Sequence, residues 1–463
     1  MSALDVRLQP FQKYKTLHQL IKATELPSGP VKDIERLKLV EALEALKKNM
    51  QDVFVATDQC TSIMMELLEL GAAYIRRIYG EQSHQQIVSR VYQPGLMKEN
   101  PIEIRPPIHL SGLPGVGKSA LIFALERLLP APPAIPIPGG SLIHIPIVVS
   151  RANGKSTQRA MLQDFARPGP MPRSLDGLID DTVNWLYTIC AGLICADELQ
   201  FLAHSKASIN VSKTIMSIGD LRVQAVIGCN FNVLHKLVKE PAQIQARTLD
   251  RVIYLHPESP GTRDWKKILS AQCNVCDGAI ESAVFDAADQ LWEMSAGINR
   301  HLVSLLLLAF RKARMRGAKI AKMEDVVSAY NSGDFLTQRN QVEFLIGRAA
   351  GLKVTRSAIS PTQKLDLECP FPEGNRLTSD YQLAATERSQ AQFDETLVID
   401  SMTRAEKEAL KKIPCSHVPN ARPSSASIHP IRKKADKPSS KMEEQSAANV
   451  ELMEAMRSKR KKK

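Results

Sequence analysis

The chain has 463 residues, 24% charged and 44% apolar, with 23 Gly and 28 Pro. It is long enough for two or three domains and a sizeable core, too apolar to be wholly disordered and too charged to be fibrous or membrane-embedded. Its net charge is +12, but fourteen Lys/Arg and five Asp/Glu fall between Lys411 and Lys463, so the other 410 residues carry only +3 and the basicity belongs to a tail.

No apolar run approaches the roughly 18 residues of a membrane span, and the first fifteen residues lack the apolar segment of a signal peptide. Eight scattered cysteines give no disulfide framework. A cytoplasmic chain with no membrane partner is expected.

Residues 1–100 read as a helical N-terminal region. In VKDIERLKLVEALEALKKNMQDVFVA the apolar positions Ile34, Leu37, Leu39, Val40, Leu43 and Leu46 recur at helical spacing, and CTSIMMELLELGAAYIRRIY (60–79) repeats the pattern. Such helices either pack on one another as a small bundle or form a partner-docking module. Pro94, Pro101, Pro106 and Pro107 then mark a boundary, since proline restricts both itself and its predecessor.

Between 101 and 260, short apolar runs alternate with helical stretches: IHLSG (108–112), LIHIPIVVS (142–150), AGLICADE (191–198), VQAVIGCN (223–230) and VIYLH (252–256). This alternation predicts an α/β fold, a parallel sheet covered by helices. Five prolines between Pro130 and Pro138 predict a stiff surface loop. Helical patterning returns over 261–350, and 351–463 reads as a linker and a basic tail, mostly disordered from 411 onward.

The strongest chemical signal is Gly112-Leu-Pro-Gly115-Val-Gly117-Lys118-Ser119, which fits G-x-x-x-x-G-K-[ST] between an apolar run and the helix-like ALIFALERLL. The glycines let backbone N–H groups wrap phosphates. Lys118 would neutralise the β and γ phosphates, Ser119 would hold Mg²⁺, and the helix start at Ala120 adds its partial positive charge. ATP and Mg²⁺ are therefore the expected cofactors. Asn153-Gly154-Lys155-Ser156 is a decoy, because Val149 stands where the first glycine should be.

The run Leu193-Ile194-Cys195-Ala196-Asp197-Glu198, 79 residues beyond the phosphate loop, is an apolar strand ending in two acids. In a P-loop protein this is a Walker-B element: Asp197 would organise Mg²⁺, and Glu198 would orient or deprotonate the attacking water. VQAVIGCN ends in Asn230, which would touch the γ-phosphate or that water, with Asn232 as the alternate. Before the last apolar run, Arg247 would face a neighbouring subunit's nucleotide as an arginine finger, with Arg251 in reserve. Arg300, in Gly297-Ile-Asn-Arg-His, would reach the phosphates from a helical lid.

The order P-loop, strand-Asp-Glu, strand-Asn, Arg and helical lid with Arg resembles the AAA+ ATPases. DELQFL (197–202), IGCNF (227–231), Arg247 followed by Trp265, and KIAKMEDVVSAY (319–330) resemble the TnsC/TniB group of transposition regulators, over about 105–345. That resemblance implies an ATP-dependent regulator of DNA transposition, found in bacteria, that assembles as a ring or helical filament on double-stranded DNA. It would link a target-selecting protein of the TniQ/TnsD type to the transposase, with hydrolysis limiting the assembly. The proline loop and the long N-terminal region match nothing in that group.

Arg151, Lys155 and Arg159 form a small basic loop that either contacts DNA or is simply solvated. A few phosphate contacts per subunit bind weakly alone and strongly in an assembly. No base-reading signature is present, which leaves target choice to a partner. The tail binds DNA, docks a partner through Val450, Leu452, Met453 and Met456, or only solubilises the chain; SKRKKK also reads as a nuclear-import signal. Cys273 and Cys276 lack a second ligand pair for zinc and are read as structural. The competing functions are an AAA+ helicase or clamp loader and a non-hydrolysing, ATP-bound scaffold. Glu198 argues against the scaffold, which needs no positioned water.

Overall fold

The computed structural model describes residues 3–80, 86, 105–132, 134–137, 140–151, 157–199, 209–349 and 359–375. By contacts the chain divides into 1–395 and 396–463, and the second unit lies outside the described residues, as do all four apolar tail positions named above.

Four helices come first: α1 (Ala3–Gln12), α2 (Leu17–Thr24), α3 (Leu39–Asp52) and α4 (Asp58–Tyr79). The Thr16 and Thr57 side chains accept from the Gln19 and Cys60 N–H groups and so start α2 and α4. Helix α3 starts later than the apolar spacing predicts. Asp33 takes a left-handed φ of 49° soon after Gly29-Pro30, which puts Ile34 and Leu37 in a turn, and Val40 is 66% exposed.

The core begins with β1 (Ile108–Gly112) and α5 (Lys118–Leu128). The proline-rich segment is not the plain loop expected, because β2 (Ile135–Ile137) within it pairs antiparallel with β3 (Gly140–Leu142). LIHIPIVVS divides: its first residue ends β3, 143–146 are irregular, and β4 (Ile147–Arg151) follows. Then come α6 (Gln158–Phe165), α7 (Leu175–Thr188), β5 (Leu193–Asp197), α8 (Ile209–Asp220), β6 (Ala225–Cys229), α9 (Phe231–Leu237), α10 (Ala242–Thr248) and β7 (Arg251–Leu255).

Strands β4-β5-β6-β1-β7 form one parallel sheet in that order. The inner strands β1, β5 and β6 are buried at every position while the edges β4 and β7 are partly open, as expected of a parallel sheet covered on its faces. Strand β6 separates the P-loop strand β1 from β5, so the carboxyl ends of all three open on one crevice, where ligands of such sheets bind.

The lid comprises α11 (Arg263–Val275), α12 (Ala283–Asp286), α13 (Ala288–Ser295), α14 (Asn299–Met315), α15 (Met323–Tyr330) and α16 (Leu336–Ala349), followed by a short α17 (Pro361–Leu367). Trp265 and Trp292 are fully buried in its core, with their indole N–H groups donating to the Ala288 and Glu258 carbonyls, and Cys276 is buried beside them.

Of the N-terminal helices, α1, α2 and α4 pack on one another and on the sheet, while α3 packs on the lid. Leu8, Phe11 and Leu20 join the sheet's core, while Ala42, Leu46 and Met50 of α3 join the lid's. Arg314 of α14 donates to the Glu35 and Leu37 carbonyls at 3.1 and 2.9 Å, which fixes the turn before α3 to the lid. The stripe of α3 is thus covered by the distant lid rather than by its sequence neighbours.

Candidate nucleotide site

The loop 112–118 leaves β1 and turns into α5, with Gly115 and Gly117 at φ 85° and 119°, a region that favours glycine. A Cβ on Gly115 would lie 2.6 Å from Arg300 Cβ, so the lid rests directly on the loop; the Arg300 N–H also donates to the Gly115 carbonyl at 3.3 Å. Lys118 is 8% exposed, and its ammonium donates to the Gly112 and Leu113 carbonyls at 2.9 and 3.0 Å. Burial pulls its pKa down to about 8, against the upward pull of Cys229, Glu198 and Asp197.

Asp197 ends β5, 3% exposed, and burial raises its carboxyl above the usual range although a Ser119 hydrogen bond opposes this. The Ser119 hydroxyl donates to Glu198 Oε1 at 3.3 Å, and the Glu198 N–H donates to Asp197 Oδ1 at 2.9 Å. Two carboxyls and a hydroxyl thus share one corner. A buried carboxyl held near a hydroxyl fits a hard divalent cation such as Mg²⁺, which takes one or two protein oxygens and leaves the rest of its shell to water and phosphate. Among the described residues no group of three or more His, Cys, Asp and Glu is placed to hold a metal by itself.

Asn230, 9% exposed, stands just past β6 with no capping bond from its side chain, and it borders the same cavity. Asn232 lies inside α9 and does not. The cavity, of about 370 Å³, brings together Gly115, Gly117, Lys118, Ser119, Ala120, Glu198, Asn230 and Arg300. Gly112 contributes the carbonyl that holds Lys118.

Part of the cavity wall comes from elements with no nucleotide motif. Lys47, Met50 and Gln51 of α3 border the cavity from the N-terminal region, and Asn299 does so from the lid. Helical spacing places residues 47 and 51 on one face of α3, but nothing local says what that face meets.

Arg247 does not border this cavity. It lies in the last turn of α10, half exposed, with an ion pair to Asp220 at 3.3 Å. Arg251 opens β7 and is ion-paired with Glu66 of α4. Of the basic loop, Lys155 lies outside the described residues. Arg151 pairs with Glu126 at 2.7 Å and covers the Phe123 ring, while Arg159 donates to the Pro172, Arg173 and Ser174 carbonyls. Both guanidinium groups are thus engaged within the chain.

Gly228 tests the acidic corner. A Cβ there would come within 2.5 Å of Asp197 Oδ1 and 3.0 Å of the Ile122 side chain. Gly228→Ala is expected to push the carboxylate off its position, weakening Mg²⁺-dependent nucleotide binding about tenfold and costing about 1–3 kcal/mol of stability as an overpacked site. Nucleotide titration with and without Mg²⁺, together with thermal melting, measures both; parental values would place Asp197 outside the cation site.

No known protein family and no curated protein matches the chain. Among solved structures it is similar to the ORC2 protein of Aeropyrum pernix at 14% identity, covering 71% of this chain and 94% of that one with a TM-score of 0.38. It is also similar to the ORC1 protein of the same organism in complex with DNA, at 17% identity over 58% and 68% with a TM-score of 0.35. A third similarity is to RuvB, the Holliday junction branch migration motor of Thermotoga maritima, at 14% identity over 65% and 88% with a TM-score of 0.31. The strand order, the loop between β1 and α5 and the helical lid resting on it make this an α/β core with a phosphate loop at the carboxyl end of its parallel sheet. No described helix is long and apolar enough to cross a membrane.

Proposed function

We propose that the chain is an ATPase that hydrolyses Mg²⁺-bound ATP and works as an assembly on double-stranded DNA. The observation that carries the ATPase reading is the convergence of Lys118, Ser119, Glu198 and Asn230 on one cavity, with Asp197 against Ser119 and Arg300 on the loop. Lys118 and the loop amides bind the phosphates, and Ser119 and Asp197 would hold Mg²⁺, which would supply charge neutralisation for the departing phosphate. Glu198 takes a proton from the attacking water as the water oxygen bonds the γ-phosphorus, and the bond from that phosphorus to the β–γ bridging oxygen breaks, so that ADP leaves. Asn230 orients that water, and Arg300 reports phosphate to the lid.

The assembly reading is supported by Arg247, which is exposed on a helix end away from its own cavity. Arg247→Ala is expected to lower turnover of the assembled protein about 10²–10³-fold while leaving ATP binding by an isolated subunit within about twofold; Arg247→Lys should not restore it, since a point charge lacks the planar fork. Unchanged turnover in the assembled state would remove Arg247 as the finger.

The finer role is regulation of DNA transposition, joining a target selector of the TniQ/TnsD type to the transposase. Its support is the sequence resemblance of the TnsC/TniB group, carried by DELQFL, IGCNF, Arg247 with Trp265, and 319–330. On this reading 101–260 is the nucleotide-binding core, 261–350 the lid, and 1–100 and 351–463 the partner-facing regions. The test is the ATPase rate with and without double-stranded DNA at low and moderate salt, with electron microscopy of the same samples. DNA-stimulated, salt-sensitive turnover with ATP-dependent filaments or rings supports it. ATP turnover indifferent to DNA, without assembly, would remove the DNA role and leave the ATPase; loading onto a ring-shaped helicase would favour the loader.

A further inference from the structure

A second, smaller cavity of about 70 Å³ also borders the phosphate loop. It shares Gly117, Ala120 and Asn299 with the first, so a ligand filling both would pass along the loop at Asn299. Its walls are largely apolar, from Val53 and Val55 after α3, Val116 of the loop, Leu255 of β7 and Ile268 of α11. An apolar slot beside a phosphate site suits a flat heteroaromatic ring.

Gln272 of α11 borders this slot and is 1% exposed. Its Nε2 donates to the Met50 carbonyl at 3.3 Å. A carbonyl can only accept, so this bond settles which way the amide faces. The remaining atom, Oε1, is buried with no hydrogen-bond partner. Leaving a buried acceptor unmatched costs about 1–3 kcal/mol, so such an oxygen calls for a donor. Asn299 Oδ1, where the two cavities join, is a second buried acceptor without a partner.

We infer that Gln272 sets the base specificity of the nucleotide site: its Oε1 accepts a hydrogen bond from the exocyclic amino group of adenine, and the slot discriminates against purines with a carbonyl at that position. This rests on the nucleotide reading above and extends it to the base. Two acceptors facing each other repel and leave both desolvated, so a site built for a donor rejects the oxo analogue more strongly than shape alone would. Because Gln272 is tied through Met50 to α3, the base contact would also couple the lid to the N-terminal helix that walls the phosphate cavity.

The test is competition of ATP, inosine triphosphate and purine riboside triphosphate, which lacks the amino group, against a fluorescent ATP analogue on the full chain. The parent is expected to bind ATP about tenfold more tightly than either analogue. Gln272→Met, of similar volume and without the acceptor, is expected to bind ATP about tenfold more weakly and the analogues within about threefold of the parent. Equal binding of all three by the parent, or a full ATP preference in Gln272→Met, overturns the inference while leaving a nucleotide site in place. A parent that binds none of the three overturns the nucleotide reading itself. Should Gln272→Met fail to melt cooperatively, the parent's analogue series alone decides.

Discussion

Lys118→Ala is expected to weaken ATP binding about 10- to 100-fold, because a charge-assisted hydrogen bond to phosphate contributes about 1.5–3 kcal/mol, and to abolish hydrolysis and ATP-dependent assembly with it. Lys118 is the first residue of α5, so backbone geometry fixes it over the loop, and the Gly112 and Leu113 carbonyls hold two of its three protons. A phosphate oxygen takes the third.

The same burial makes binding depend on pH. With its pKa lowered to about 8 in the free protein, against 10.5 ordinarily, Lys118 loses its proton in the folded chain while the unfolded chain still holds one. Between these values the unfolded state binds more protons, so this group's contribution to folding stability rises with pH. Phosphate needs the ammonium form, so ATP affinity is expected to fall above about pH 8 by up to about tenfold per unit, with proton uptake on binding. Titration calorimetry at pH 7 and pH 9, in buffers of different ionisation enthalpy, measures both effects. A flat pH profile would place the proton elsewhere, and near-parental affinity in the alanine variant would remove Lys118 from the phosphate site.

What was legible in the sequence was local. The phosphate loop is a continuous strand–turn–helix whose glycines are dictated by its own backbone, and β5 with its terminal acids and β6 with Asn230 are equally short-range. What was not legible depends on distant packing. Apolar spacing in α3 shows that Leu46 and Met50 are buried but not that they meet the lid, so neither Lys47 and Gln51 in the cavity wall nor the Gln272–Met50 bond could be anticipated. The Arg151–Lys155–Arg159 cluster shows the converse: sequence supplies the charges, but Glu126, Phe123 and the 172–174 carbonyls that engage two of them lie elsewhere in the chain. The helix expected from residue 31 failed for a conformational reason, the left-handed Asp33, to which apolar periodicity is blind.

Glu198→Gln separates binding from chemistry. Glu198 has a φ of 61°, left-handed for a residue with a Cβ, a conformation costing on the order of 1–2 kcal/mol that surrounding structure must hold. That hold is visible on both sides: the Glu198 N–H is bonded to Asp197 Oδ1, and the next residue's N–H, from Leu199, donates to the Gly228 carbonyl at 3.2 Å. The strained turn lets consecutive residues face different tasks, Asp197 toward Ser119 and the cation, Glu198 toward the cavity. Glutamine keeps the shape and still accepts from the Ser119 hydroxyl, but it cannot take a proton from water. Turnover is expected to fall about 10²–10³-fold, with ATP affinity within about threefold of the parent. On double-stranded DNA the variant should stay bound after an ATP chase, since release follows hydrolysis. Single-turnover phosphate release at saturating Mg²⁺ and ATP, beside a binding titration, distinguishes this from a folding defect, in which both would fall. Hydrolysis at the parental rate would mean that another group accepts the proton, and Asn230, the other polar side chain from a neighbouring strand end in the same cavity, cannot do so because a neutral amide is no base.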